Sequence, residues 1–177
     1  MSSALRIRVA RHVRSKTNGL RTVEVSRSDV TDIQKSGDHF ILRVLGKGRD
    51  EKSDFVRLST RTHQAILSYL DGRESGPIFI STSNNSRGER LSTRSISRII
   101  KDRMKAIGIN SPRYSAHSLR HSCCTLNLLA GGSLQESSQL LRHRSLATTQ
   151  IYSHNLTLLS NPSSQRVEDY LFAQEDE

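Results

Sequence analysis

Two short apolar runs flank a glycine-bracketed turn between residues 39 and 58, and beyond them the apolar spacing changes from strand-like to helical. HFILRVL over 39–45 reads as a strand, Gly46-Lys47-Gly48 as a tight turn, and DFVRL over 54–58 as the returning strand. From residue 60 onward, residues 60–70 place Ala65, Ile66, Tyr69 and Leu70 on one helical face. Residues 92–107 form the next helix, closed by Gly108 and Pro112, and residues 118–130 a Leu-rich one ended by Gly131-Gly132. Two shorter helices follow over 134–141 and 147–156. Residues 71–91, rich in Gly, Ser and Asn, read as a loop broken by the apolar triplet IFI. Ahead of the hairpin, Leu5, Val9 and Val13 give a basic amphipathic helix that Asn18-Gly19 stops, and residues 24–30 fit either a short helix or an extended piece. The expected class is therefore α+β: a mainly helical domain with a small antiparallel β-sheet near its N-terminal third.

At 177 residues the chain is long enough for one domain with a substantial core. Its 27 Lys and Arg against 17 Asp and Glu leave a formal charge of +10, which points to a polyanionic partner, with nucleic acid ahead of membrane. The charge is uneven. Residues 5–16, LRIRVARHVRSK, are strongly basic, whereas the end, VEDYLFAQEDE, is acidic and suits a protein contact or disorder better than DNA. The two cysteines, Cys123 and Cys124, are adjacent, a poor geometry for a structural disulfide, so they read as small apolar side chains of a reducing cytoplasm. No apolar run approaches the ~18 residues of a membrane span, and no leader precedes the charged start, so the expectation is a soluble, cytoplasmic chain. The abrupt start suggests the catalytic part of a longer protein.

Reactive side chains gather between His117 and Tyr152. His117 and Arg120 lie three apart, so in a first helical turn they share a face with exposed backbone N–H groups, a setting that favours an anion. Arginine adds a planar fork that matches two phosphate oxygens. His143 lies nine residues before Tyr152, across what reads as a turn, with Arg142 and Arg144 on either side of it. A nucleophilic tyrosine must lose a proton whose ordinary pKa is about 10, so it needs cations or a base nearby. Taken singly, HxxR reads more often as a surface arginine beside a half-buried histidine, and Tyr152 as a core-edge residue with a wet hydroxyl. Zinc is rejected: His117 and His121 have ligand spacing and lie near Cys123 and Cys124, but Arg120 between them repels a cation.

HSLRHS followed by LLRHRSLATTQIYSH resembles the tyrosine recombinase (phage integrase) family, in which an HxLRH box precedes a leucine-glycine-histidine box and the nucleophilic tyrosine. Upstream, NGLRTVE resembles the family's GLRxxE box and Gly46-Lys47-Gly48 its β-hairpin lysine motif. The boxes occur in family order and cover almost the whole chain. The resemblance implies Arg21, Lys47, His117, Arg120, His143 and Tyr152 as the catalytic set. It divides the chain into a catalytic domain over 1–165 and an acidic tail over 166–177 that packs on a neighbouring protomer. Arg142 stands where the family commonly has glycine, Asp50 and Glu51 replace part of a basic run after the hairpin lysine, and Val25 replaces a leucine. The boxes leave no stretch for the family's N-terminal core-binding domain, so the expectation is that these residues do not include it.

The resemblance also implies a mechanism without a cofactor or metal. Arg21 and Arg120 bracket the scissile phosphate, His117 and His143 add hydrogen bonds, Tyr152 attacks as nucleophile, and Lys47 acts as general acid to the departing 5′-oxygen. Glu24 orients an arginine. The implied partners are double-stranded DNA and further protomers, four in the synaptic complex. Two other readings stay open: a helix-turn-helix DNA-binding module over 134–152, which leaves Arg21, Lys47 and the HxxR box unexplained, and an enzyme of type IB topoisomerase character.

Overall fold

The computed structural model describes residues 19–46, 48, 50–143, 145–160, 162, 163 and 166. The basic helix expected over residues 5–16, nearly all of the acidic tail and Lys47 lie outside them.

The hairpin forms, inside a three-stranded sheet. Strands β1 (Ile33–Ser36), β2 (His39–Val44) and β3 (Asp54–Leu58) are antiparallel in the order β1-β2-β3. Ile33 pairs with Leu42 across the first ladder, and Leu42 with Val56 across the second. Period-two alternation turns Leu42, Val44, Val56 and Leu58 to one face, where all four are buried. β1 has the sequence IQKS and sits at an edge with its last three residues exposed, so it carries no alternation from which a strand could be read.

Six helices among the described residues complete the domain: α1 (Thr22–Ser26), α2 (Thr60–Leu70), α3 (Thr93–Ala106), α4 (Ala116–Leu129), α5 (Leu134–Leu141) and α6 (Ala147–Ser160). Single 3-10 turns occur at Val30–Asp32 and Asn84–Ser86. A serine caps each of four helix starts: Ser59, Ser92, Ser115 and Ser133 accept hydrogen bonds from backbone N–H groups of the first turn. At α5 the cap is reciprocal, Ser133 N donating to Glu136 Oε2 at 2.6 Å. The cap at Ser115 starts α4 at Ala116, two residues earlier than expected, which brings His117 into the helix. α6 runs to Ser160, beyond the expected 156. Residues 24–30 resolve into the end of α1 and a connection to the first 3-10 turn.

The main core unites the buried sheet face with Ile66, Tyr69 and Leu70 of α2, Ile78 and Phe79 of the loop, and Ile96, Ile100 and Met104 of α3. A second cluster, Cys123, Cys124 and Leu141 with Leu128, Leu140 and Tyr152 against it, joins α4, α5 and α6. Burial raises both thiol pKa values, so at neutral pH these cysteines pack as small apolar groups. No described helix is long and apolar enough to cross a membrane.

Candidate active site

Arg120 is the tie between the two halves. It projects from the first turns of α4 and is 4% exposed. One guanidinium nitrogen donates to the carbonyl of Gly19 and another to that of Leu141. These carbonyls lie two residues before Arg21 and two before His143, so a single planar fork fixes both segments. Burial, with Arg21 and Arg142 nearby, lowers the Arg120 pKa to about 10, which still leaves it charged at neutral pH. Gly19 makes the approach possible. Its φ is +52°, and a Cβ there would stand 2.5 Å from Leu141 Cδ2.

Arg21 caps α1 from extended backbone. Its backbone N–H donates to Glu24 Oε2 at 2.6 Å, and its Nη1 to Glu24 Oε1 at 2.7 Å. Its Nη2 donates to the Arg142 carbonyl at 3.2 Å. Arg142 Nη2 donates to Glu24 Oε2 at 2.7 Å, so one fully buried carboxylate serves two arginines. Burial opposes ionisation of Glu24, but Arg142 beside it and the hydrogen bonds from Arg21 prevail and hold its pKa below the usual carboxylate range.

His143 follows Arg142 and faces Thr149, the imidazole Nδ1 lying 2.8 Å from Thr149 Oγ1. Burial first, then the charges of Arg120, Arg21, His121 and His117, depress its pKa to about 4, so it is neutral at pH 7. His117 is exposed and meets His121 edge-on, ring centroids 4.3 Å apart. His121 in turn lies 5.2 Å from the Tyr152 ring, and its Nδ1 is buried without a hydrogen-bond partner among the described residues. Burial, His117 and Arg120 lower the His121 pKa as well. The structure thus gathers Arg21, His117, Arg120, His143 and Tyr152. Lys47, the remaining expected residue, lies outside the described residues, in the loop between β2 and β3. Lys52 of the same loop is engaged elsewhere, its Nζ lying 3.1 Å from Asp29 and 2.5 Å from Asp32.

Reading the sequence anticipated Glu24 but gave no site role to Arg142, Thr149 or His121. His121 carried a signal, its i, i+4 spacing from His117. Thr149 had none, because only the fold of the 142–147 turn brings it to His143. A cluster of cations around one buried carboxylate, with neutral imidazoles and a tyrosine at its edge, is chemically equipped to bind an anion and deliver a nucleophile to it.

The chain belongs to the phage integrase family, whose model matches residues 3–158. It is 39% identical over 142 residues to the tyrosine recombinase XerC of Pelobacter propionicus, a match covering 78% of this chain and 44% of that protein. Against the tyrosine recombinase XerC of Corynebacterium glutamicum the figures are 35%, 77% and 42%. The chain therefore spans less than half the length of the curated relatives it matches. Among solved structures, the XerA recombinase superposes with a TM-score of 0.70 at 30% identity, covering 93% of this chain and 58% of that one. XerH bound to its difH substrate shares the fold, with a TM-score of 0.69 at 21% identity, covering 99% of this chain and 48% of that one.

Proposed function

We propose that this chain is the strand-exchange domain of a site-specific DNA recombinase that works through a 3′-phosphotyrosyl intermediate. The observation that carries the reading is the Arg120 clamp, which gathers an electropositive cluster beside Tyr152. Arg21 and Arg120 hold the non-bridging oxygens of the scissile phosphate and stabilise the charge that grows on them in the transition state. Tyr152 Oη attacks phosphorus in line and gives its proton to His117. The bond from phosphorus to the 5′-oxygen breaks, and Lys47 protonates that oxygen. His143, neutral and tethered to Thr149 through Nδ1, donates from Nε2 to a phosphate oxygen. Attack by the 5′-hydroxyl of another strand reverses the step, so exchange needs no energy source. Glu24 orients Arg21 and takes no proton.

The substrate is double-stranded DNA, and exchange between two duplexes calls for four protomers, with residues 166–177 packing on a neighbour. Truncation after Gln165 is expected to weaken assembly on DNA without abolishing single-site cleavage; unchanged assembly would count against the tail contact. The site of action is the nucleoid.

The decisive experiment is covalent trapping on nicked duplex DNA, read on a denaturing gel. The wild-type chain is expected to form a protein–DNA adduct and Tyr152→Phe none. DNA binding without any adduct would favour the binding-module reading instead.

A further inference from the structure

Among the described residues, only Asp71 and Arg142 combine a side chain with positive φ. Arg142, at φ 51° and ψ 49°, closes α5 in the left-handed conformation that glycine adopts freely and other residues resist. Its side chain is 10% exposed, and its Nε–H is buried with no partner among the described residues. A strained backbone and an unpaired donor both oppose placing arginine here. The side chain's strong contact is with Glu24, whose carboxylate is 0% exposed: Oε1 accepts from the Arg21 guanidinium, while Oε2 accepts from Arg142 and from the Arg21 backbone N–H.

A carboxylate held by one arginine alone forms a two-pronged pair and cancels most of its charge. Here the carboxylate is divided. We propose that Arg142 is a positioning residue that shares the Glu24 carboxylate with Arg21, so that the charge of the Arg21 guanidinium, 30% exposed, is less fully compensated and is left to hold the phosphodiester. This rests on Arg21 being a phosphate ligand, as proposed above. Arg142 acts on Arg21 by two routes: its side chain competes for Glu24, and its carbonyl accepts from Arg21 Nη2. The routes are separable, because Arg142→Gly removes the side chain while keeping the carbonyl and suiting the backbone.

The test measures the first-order rate of adduct formation at saturating nicked DNA, together with the DNA dissociation constant. Arg142→Gly is expected to slow adduct formation by about tenfold, a fraction of what losing a whole charge-stabilising donor does, with DNA affinity changed less than about twofold. Arg142→Lys, which keeps the cation, recovers part of the rate. In a Glu24→Gln background there is no carboxylate charge to divide, so adding Arg142→Gly changes the rate little. A merely structural role would give the same loss in both backgrounds, and that result overturns the proposal. Equal rates for wild type and Arg142→Gly overturn it too, while leaving the Tyr152 reading intact. No adduct from the wild-type chain removes the reading of the site and this proposal with it.

Discussion

In the proposed function Arg120 has two jobs for one guanidinium, and the physical reason is its count of donors. Five N–H groups on a rigid plane allow two to be spent on buried carbonyls while others are left for the phosphate that the proposed function places there. Lysine has the charge without the fork. Arg120→Lys is therefore expected to leave at least one of the Gly19 and Leu141 carbonyls unsatisfied, a loss of about 1–3 kcal/mol. In thermal unfolding that is a fall of roughly 2–12 °C for a chain of this size, accompanied by loss of the covalent adduct. An unchanged melting temperature would show that the clamp does not hold the two segments together. His143 offers a second test at this scale. Its folded pKa of about 4 lies below the ordinary value near 6.5. Below pH ~6.5 the unfolded chain binds a proton that the folded chain refuses, so stability rises with pH across that window. His121 and His63, also lowered by burial, act in the same sense. Glu24 adds a second stage, its contribution lost as pH falls from the ordinary carboxylate range through its lower folded value. Urea unfolding between pH 7 and 4 should show destabilisation beginning near pH 6.5, and His143→Asn should flatten the upper part of the curve. A curve flat down to pH 5 in the wild type would contradict the burial of His143.

At the scale of elements, the site is a meeting of ends: the segment before α1, the first turns of α4, and the turn from α5 to α6. Gly19 sits where the first two meet the third. Gly19→Ala combines an unfavourable left-handed φ with a methyl driven into Leu141, together costing about 2–5 kcal/mol. It also shifts the carbonyl that Arg120 uses, so both chemical stability and adduct formation are expected to fall; an alanine variant as stable as wild type would show that the approach is looser than described. These junctions explain what could be read beforehand. Helices α2 and α5 were legible to the residue, because serine caps and apolar spacing are local signals. The hairpin was legible from alternation, while β1, polar and at an edge, was not. The start of α4 moved because a serine three residues upstream of the expected start caps it. Arg21, His117, Arg120, His143 and Tyr152 were legible as a set through motif order. Their hydrogen bonds were not, since Arg120 to Gly19 spans 101 positions and Arg142 to Glu24 spans 118. Nothing local in the sequence encodes which carbonyl a distant guanidinium will find.

For the whole molecule, the excess of 27 basic over 17 acidic residues sets how it would meet the DNA of the proposed function. The described acidic residues with lowered pKa are already committed: Glu24 to Arg21 and Arg142, Asp29 to Lys52 and Arg90, and Glu136 to the cap of α5. Each ion pair takes up a cation with its carboxylate, so the surplus left for phosphates is the formal net charge of +10. Each phosphate that the protein neutralises releases condensed counterions, so log K falls with log salt by about 0.9 per contact on duplex DNA. A surface making roughly six to ten such contacts loses about 10³–10⁵ in affinity between ~50 and ~200 mM salt. Affinity for unrelated duplexes is expected to share that slope. A titration of labelled duplex at several salt concentrations checks this directly. A shallow slope, with one duplex strongly preferred at high salt, would mean that base contacts rather than phosphate contacts dominate, and would shift attention from the Arg120 cluster to the exposed faces of α5 and α6.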